Sequence, residues 1–284
     1  MSQKLIHNAS SQDWADERGK KWRDQLSGLE AMLEPVDAPL IEALRLDGPV
    51  RIAEIGCGGG GTTVKVLEHA PEGSSVHGID ISPDLADIAR ARLEAHESDG
   101  EVHVANVESA PAPAGSYDRL LSRFGIMFFE RPQAAFSNIA TWLAPGGRFA
   151  FAVWGEPEKN PWMISLRDAV AEVMEVPLPD IEAPGPFRYG EGDRLLEHLN
   201  IAGLSDLHIH DWYGTLRIGG GVPPAEAVDF AFDSFSLGEL LADASDAENA
   251  TVRDLLLKRY LEEERDDGVH MEACVHIVTG VRPA

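Results

Sequence analysis

Arg51-Ile52-Ala53-Glu54-Ile55-Gly56-Cys57-Gly58-Gly59-Gly60-Gly61-Thr62-Thr63 is an apolar run that stops first at an acid and then in glycines. Val50 to Ile55 has the β-branched content of a buried strand, and Thr62 to His69 suits a helix, so the glycines fall on a strand-to-helix turn. Glycines there allow positive φ and leave no side chain between turn and ligand, while the first amides of the next helix point at whatever is bound. Such a turn cradles a cofactor. About 20 residues on, an acid that holds ribose hydroxyls is expected at the end of the second strand. Val76-His77-Gly78-Ile79-Asp80-Ile81 supplies Asp80. The two signals together imply an adenosine-type ligand.

Gly56-Cys57-Gly58-Gly59-Gly60-Gly61 also fits the G-x-G-x-x-G of nicotinamide and flavin enzymes, a weak pattern by itself. Two features shift the balance: Glu54, two residues before the first glycine, and the later run Leu143-Ala144-Pro145-Gly146-Gly147. A carboxylate at the strand tip repels a pyrophosphate but suits a ligand carrying an ammonium and a sulfonium, which favours S-adenosylmethionine. At this point the sequence resembles the class I S-adenosylmethionine-dependent methyltransferases, in the small-molecule branch that includes quinone-biosynthesis enzymes. EIGCGGGG at Glu54 to Gly61, GIDIS at Gly78 to Ser82, and the stretch from Ser122 to Trp154 carry the likeness. It runs in order over about residues 10 to 155 and thins out beyond Trp154.

The resemblance implies an α/β fold, a Rossmann-like doubly wound seven-stranded sheet with its last strand antiparallel, plus helical cap segments. The expected organisation is an N-terminal helical segment over the pocket (1–47), a cofactor-binding core (48–155), and cap insertions with final strands that complete the same sheet (156–284). It places S-adenosyl-L-methionine against Trp14, Glu54, Gly56, Cys57, Gly58, Thr62, Thr63, Asp80 and Ile81. Further contacts come from Asn106, Val107 and Glu108, and from Ser122 and Arg123. Asn106 stands where the family usually has an acid for the adenine amine, and Glu108 follows two residues later, so either can make that contact. Arg123 is read either as a clamp on the ligand carboxylate or as a surface ion pair. Trp22, Phe124, Met127, Trp154 and Trp162 are the candidates for the acceptor wall, and an apolar or aromatic acceptor follows from them.

Composition narrows the partners. Lys+Arg 24 against Asp+Glu 48 gives a net charge of −24, with the acids spread along the chain. That sign repels phosphate backbones and anionic lipid, so neither nucleic acid nor a membrane surface is expected as substrate. MSQKLIHNASSQDW has no apolar stretch of signal-peptide length and no membrane-length apolar run follows, so a cytoplasmic protein is expected. Cys57 and Cys274 do not suggest a disulfide framework or a zinc site, and no metal is implied.

Along the chain, Ser10 or Ser11 can cap one helix reaching Leu33, with Trp14 and Trp22 on its apolar face and Gly19 weakening its middle. A second helix spans Ala38 to Leu46; later helices are expected over Ser82–Gly100, Pro132–Leu143 and Trp162–Val176, with strands at Tyr117–Leu121 and Arg148–Trp154. Prolines at 157, 161, 177, 179, 184 and 186 mark an inserted cap, and a second cap opens at Gly219 before a charged helix from Ala247 to Glu264. Apolar residues of that second cap could serve the pocket or a partner subunit, which leaves room for a homodimer.

Methyl transfer needs alignment of acceptor, methyl carbon and sulfur, and a general base only where the acceptor is unreactive. His7, His208, His210 and His276 are the histidines weighed for that part, and none is assigned; the catalytic residues stay unknown. Two other readings share the glycine turn: a non-catalytic S-adenosylmethionine-binding protein, and a nicotinamide-dependent oxidoreductase, which lacks a Tyr-x-x-x-Lys constellation here.

Overall fold

The computed structural model describes residues 11–96, 100–113, 115–176, 180, 182–235 and 237–284. His7, Ser10 and the prolines at 177 and 179 lie outside the described residues. The N-terminal helices α1 (Ser11–Ala15), α2 (Glu17–Asp24), α3 (Leu26–Leu33) and α4 (Asp37–Ala43) precede β1 (Arg51–Ile55). The chain then runs through α5 (Gly61–His69), β2 (Ser75–Asp80), α6 (Pro83–Ala95), β3 (Gly100–Val104), β4 (Tyr117–Arg123), α7 (Pro132–Trp142) and β5 (Leu143–Trp154), with no described helix between β3 and β4. After α8 (Pro161–Ala171) and α9 (Asp193–Ile201) comes β6 (Ser205–Arg217). The chain finishes with α10 (Pro224–Ser234), α11 (Leu237–Leu240), α12 (Asp246–Glu262), β7 (Glu264–Arg265) and β8 (Gly268–Val281).

The strands lie in the order β3-β2-β1-β4-β5-β8-β6, with the two-residue β7 paired to β8. β1 to β5 run parallel, and β8 is antiparallel to both β5 and β6. Ile52 to Ile55 and Phe149 to Trp154 are buried throughout, as strands covered on both faces must be, whereas β6 alternates exposed and half-buried residues along the sheet edge. The strand order reverses between β1 and β4, which places the ligand crevice above their carboxyl ends. Among the described residues no helix is long and apolar enough to cross a membrane.

The structure differs from the sequence reading at four local points. The N-terminal helix is broken at Asp16 and at Gln25 rather than continuous. Gly19 is no weak point but a close approach, since a Cβ there would stand 2.5 Å from Ser82 Oγ. β5 begins at Leu143 because Leu143 pairs with Tyr117 and because Arg282 and the Gly146-Gly147 turn exchange backbone bonds of 2.8 and 2.9 Å. The helix after Pro161 ends at Ala171, short of Val176.

A candidate cofactor and acceptor cleft

A cleft opens over the carboxyl ends of β1, β2 and β4. Its floor is the glycine turn. Gly56, Gly58 and Gly60 have φ of 69°, 54° and 81°, and Gly56 and Cys57 both donate backbone N–H to the Ile79 carbonyl, at 2.8 and 3.1 Å. β1 and β2 are thereby tied together where the ligand would lie. Gly60 starts α5 in the left-handed region, and a Cβ on it would meet the Ala89 Cβ at 2.9 Å, so glycine is required twice over.

Two buried carboxyl groups face this floor. Asp80 accepts from the Gly58 amide through Oδ2 and from the Ser82 amide through Oδ1, each at 2.8 Å. The carboxyl thus shapes the turn, and with two lone pairs on each oxygen it keeps capacity for a further donor. Burial pushes its pKa up, and the amide bonds oppose that rise. Glu54 is sealed at the tip of β1, where Thr63 Oγ1 donates to its Oε2 at 2.5 Å. Burial raises the Glu54 carboxyl to about 8, with the Thr63 bond and Arg123 acting in the opposite direction. A carboxyl held at about 8 favours its protonated form at neutral pH, and a cationic ligand beside it would draw the proton off.

Arg123, at the end of β4, lies 3.1 Å from Asp37 Oδ1, and Thr62 Oγ1 donates to the same oxygen at 2.9 Å. Lys65 Nζ stands 3.4 Å from the other Asp37 oxygen. The Arg123 ion pair is thus largely buried in the cleft wall, not on the surface. Asp37 itself, on α4, is a buried acid that sequence reasoning missed, because nothing in its local pattern marks the partners it meets.

Aromatic rings form the remaining wall. Trp14 meets Trp22 and Phe128 edge-on, with centroids 5.8 and 4.9 Å away, and its Nε1 is buried without a hydrogen-bond partner. Phe124 holds a φ of 63°, costly for a non-glycine residue, and stacks on Trp154 at 4.2 Å; Trp162 packs behind Trp154 at 4.8 Å.

The structure brings Trp14, Glu54, Gly56, Cys57, Gly58, Thr62, Asp80, Ile81, Asn106, Val107, Glu108, Arg123, Trp22 and Phe124 to the cleft. Thr63, Ser122, Met127, Trp154 and Trp162 do not line it: Thr63 holds Glu54 from behind, Ser122 Oγ donates to the Ile55 carbonyl at 2.7 Å, and the other three are packed in the core. Beyond the end of β3, Asn106 Oδ1 accepts from the Glu108 amide at 2.9 Å. The Glu108 carboxylate accepts from the Glu130 amide at 2.7 Å and from Arg131 Nε at 3.1 Å, which anchors the entry to α7. Phe129 and Glu30 also line the cleft without having been singled out in the sequence. Glu30 reaches it from α3, held by Arg92 at 2.6 Å. Among the described residues no histidine lines the cleft. His208 is exposed beside Asp206, His210 is exposed on β6, and His276 is buried against Asp211.

Residues 52–147 match the family model described as a methyltransferase domain. The chain is similar to the demethylmenaquinone methyltransferase of Thermus thermophilus, 30% identical over 119 residues that cover 42% of this chain and 54% of that protein. It is also similar to the aklanonic acid methyltransferase of Streptomyces sp. strain C5, 34% identical over 104 residues covering 36% and 46%. The chain thus spans about half the length of these relatives. In fold it is similar to the YcgJ protein of Bacillus subtilis, with a TM-score of 0.55 at 16% identity, covering 88% of this chain and 99% of that one. Residues 52–147 are thus similar to a methyltransferase domain, and they lie on a Rossmann-like sheet together with the acid-and-glycine turn and the Asp80 carboxyl.

Proposed function

We propose that the protein transfers the methyl group of S-adenosylmethionine to a small apolar or aromatic acceptor. The observation that carries this reading is the pairing of two environments in one cleft: buried Glu54 and Asp80 on the glycine floor, and Trp14, Trp22, Phe124 and Phe128 on the wall. The residues fit the cofactor. Asp80 has acceptor capacity for the ribose, Arg123 reaches the wall for a carboxylate, the positive-φ glycines leave room above the turn, and Glu54 supplies negative charge once a cation arrives. Bound there, the cofactor supplies an electrophilic methyl group. The chain's own residues align the acceptor and exclude water, with aromatic faces suited to a flat ring.

Because no histidine among the described residues lines the cleft, an acceptor that is already nucleophilic, or one that ionises readily, suits this wall best. Demethylmenaquinone and aklanonic acid, the compounds in the names of the two relatives above, are the first acceptors to try. The test is incubation with methyl-labelled S-adenosylmethionine and a panel of aromatic hydroxyl compounds. Label transfer to a member of the panel, reduced at least tenfold in Phe124→Ala, is expected. Cofactor binding with no transfer to any acceptor would favour the non-catalytic binder instead.

A further inference from the structure

Away from the cleft, β6 and β8 bring together a group of side chains that neither the glycine turn nor the aromatic wall uses. Their antiparallel register sets Asp211 opposite His276 and Tyr213 opposite Cys274, so four side chains rise from neighbouring rungs on one face of the sheet. Ligand atoms of Asp211, Cys274 and His276 all lie within 4.8 Å of one another. His276 is buried, with Nε2 2.7 Å from the Gly190 carbonyl and Nδ1 2.6 Å from Asp211 Oδ1. Both neighbours are acceptors. The carbonyl must receive Nε2–H, which leaves the Nδ1 lone pair facing a carboxylate unless a cation stands between them. That cation is a proton or a metal ion.

We propose that Cys274 Sγ, His276 Nδ1 and the Asp211 carboxylate form a site for a divalent transition metal of the zinc type, with water or the Tyr213 oxygen in the fourth position. The donor set of one sulfur, one imidazole nitrogen and one carboxylate oxygen suits zinc and cobalt rather than magnesium or calcium. Donation of the other ring N–H to a backbone carbonyl is the outer contact that fixes a metal-binding histidine in the needed tautomer. The Tyr213 hydroxyl already converges on the site, 3.2 Å from Asp211 Oδ2. Asp211 and Tyr213 are partly and largely exposed, which gives an entry path and freedom to adjust to metal–ligand distances of about 2.0–2.3 Å. A net charge of −24 concentrates cations at this surface, and the nearby Lys159 is itself paired with Glu156 at 3.0 Å. Metal entry releases the thiol proton of Cys274 and the proton on His276 Nδ1.

The other His/Glu group contrasts with this one. His77 Nδ1 and His103 Nε2 stand 3.3 Å apart in rings whose planes differ by 2° and whose centroids are 5.6 Å apart. Those nitrogens face each other along one line, the geometry of a shared proton rather than of two lone pairs converging on an ion. At the β6–β8 site the ion would pin the edge strand and the Gly190 turn to the sheet. Asn160 Oδ1 joins this region to the aromatic layer, accepting from both the Cys274 amide at 3.1 Å and Trp162 Nε1 at 3.2 Å.

The full-length protein, stripped with a chelator, is titrated with Co2+ and then Zn2+. One equivalent of Co2+ is expected to produce a thiolate-to-cobalt charge-transfer band in the near ultraviolet, which Zn2+ removes. The band is expected to vanish in Cys274→Ser and to need at least tenfold more Co2+ in Asp211→Asn. Zn2+ at a hundredfold excess over its Kd is expected to raise Tm by about 5 °C, with S-adenosylmethionine affinity unchanged. A wild-type protein showing neither band nor Tm shift would overturn the proposal and leave a proton as the cation on His276. An undiminished band in Cys274→Ser would also overturn it, by assigning the thiolate to Cys57. Because the wild-type titration stands by itself, a variant that fails to fold does not shelter the proposal.

Discussion

Glu54 shows how one buried acid can report on the ligand. Its carboxyl is raised from the ordinary 4.5 to about 8 by burial, so an unfolded chain loses this proton near pH 4.5 while the folded chain keeps it. The stability that comes from holding the proton is full below pH 4.5 and is lost as pH rises through about 8. Glu54→Gln keeps the shape without the proton, and a comparison of denaturation midpoints is expected to show wild type losing ground to the variant between pH 5 and pH 8. A parallel pH dependence in the two proteins would contradict the buried protonated form. Binding of a cation should invert the preference: S-adenosylmethionine is expected to release protons across the same window and to bind more tightly as pH rises, neither of which Glu54→Gln should show. Calorimetry in buffers of different ionisation heat reads this directly. Glu54 and Asp80 were legible in sequence because a strand tip and a fixed interval mark them. Asp37, Glu30 and the Asp211–His276 pair were not, since each is defined by a partner from a distant segment.

At the scale of elements, the turn between β1 and α5 is the part that least tolerates a side chain. Gly60→Ala places a Cβ in the left-handed region and 2.9 Å from Ala89, so α5 and α6 must shift. A loss of stability beyond the ~1–2 kcal/mol of left-handed strain, together with a cofactor affinity at least tenfold weaker, is expected. Gly146→Ala is the matched control: its φ is 76° and nothing lies within 4 Å of the new Cβ, so it should lower Tm without touching cofactor binding. Equal effects on binding from the two variants would sink the role given to the turn. The order of β1 to β5 and of the helices among them was readable from apolar runs and glycine stops, and so were the late strands. What local pattern did not give was the break-up of the N-terminal helix, or which aromatic residues face the cleft. Phe124 and Trp154 look alike in sequence, yet the positive φ of Phe124 turns it to the cleft while Trp154 is packed behind it.

For the whole molecule, a net charge of −24 means that folding brings like charges together over much of the surface. Raising salt from about 10 mM to 150 mM shortens the screening length from about 30 to 8 Å, so Tm is expected to rise over that range. A flat response would show that the surface ion pairs, such as Arg23 with Asp84 at 2.6 Å and Arg253 with Asp229 at 2.5 Å, already balance the repulsion. The same charge sets the order of ligands, because the cleft sits in a negative field with a buried acid at its floor. Calorimetric titration of the protein at pH 8 with S-adenosylmethionine and with NAD, alongside Asp80→Asn, tests this most directly. One equivalent of S-adenosylmethionine should bind, at least tenfold more weakly in Asp80→Asn, with no detectable heat from NAD. Tight binding of NAD and none of S-adenosylmethionine would contradict the assignment of the cleft to a cationic sulfur nucleoside.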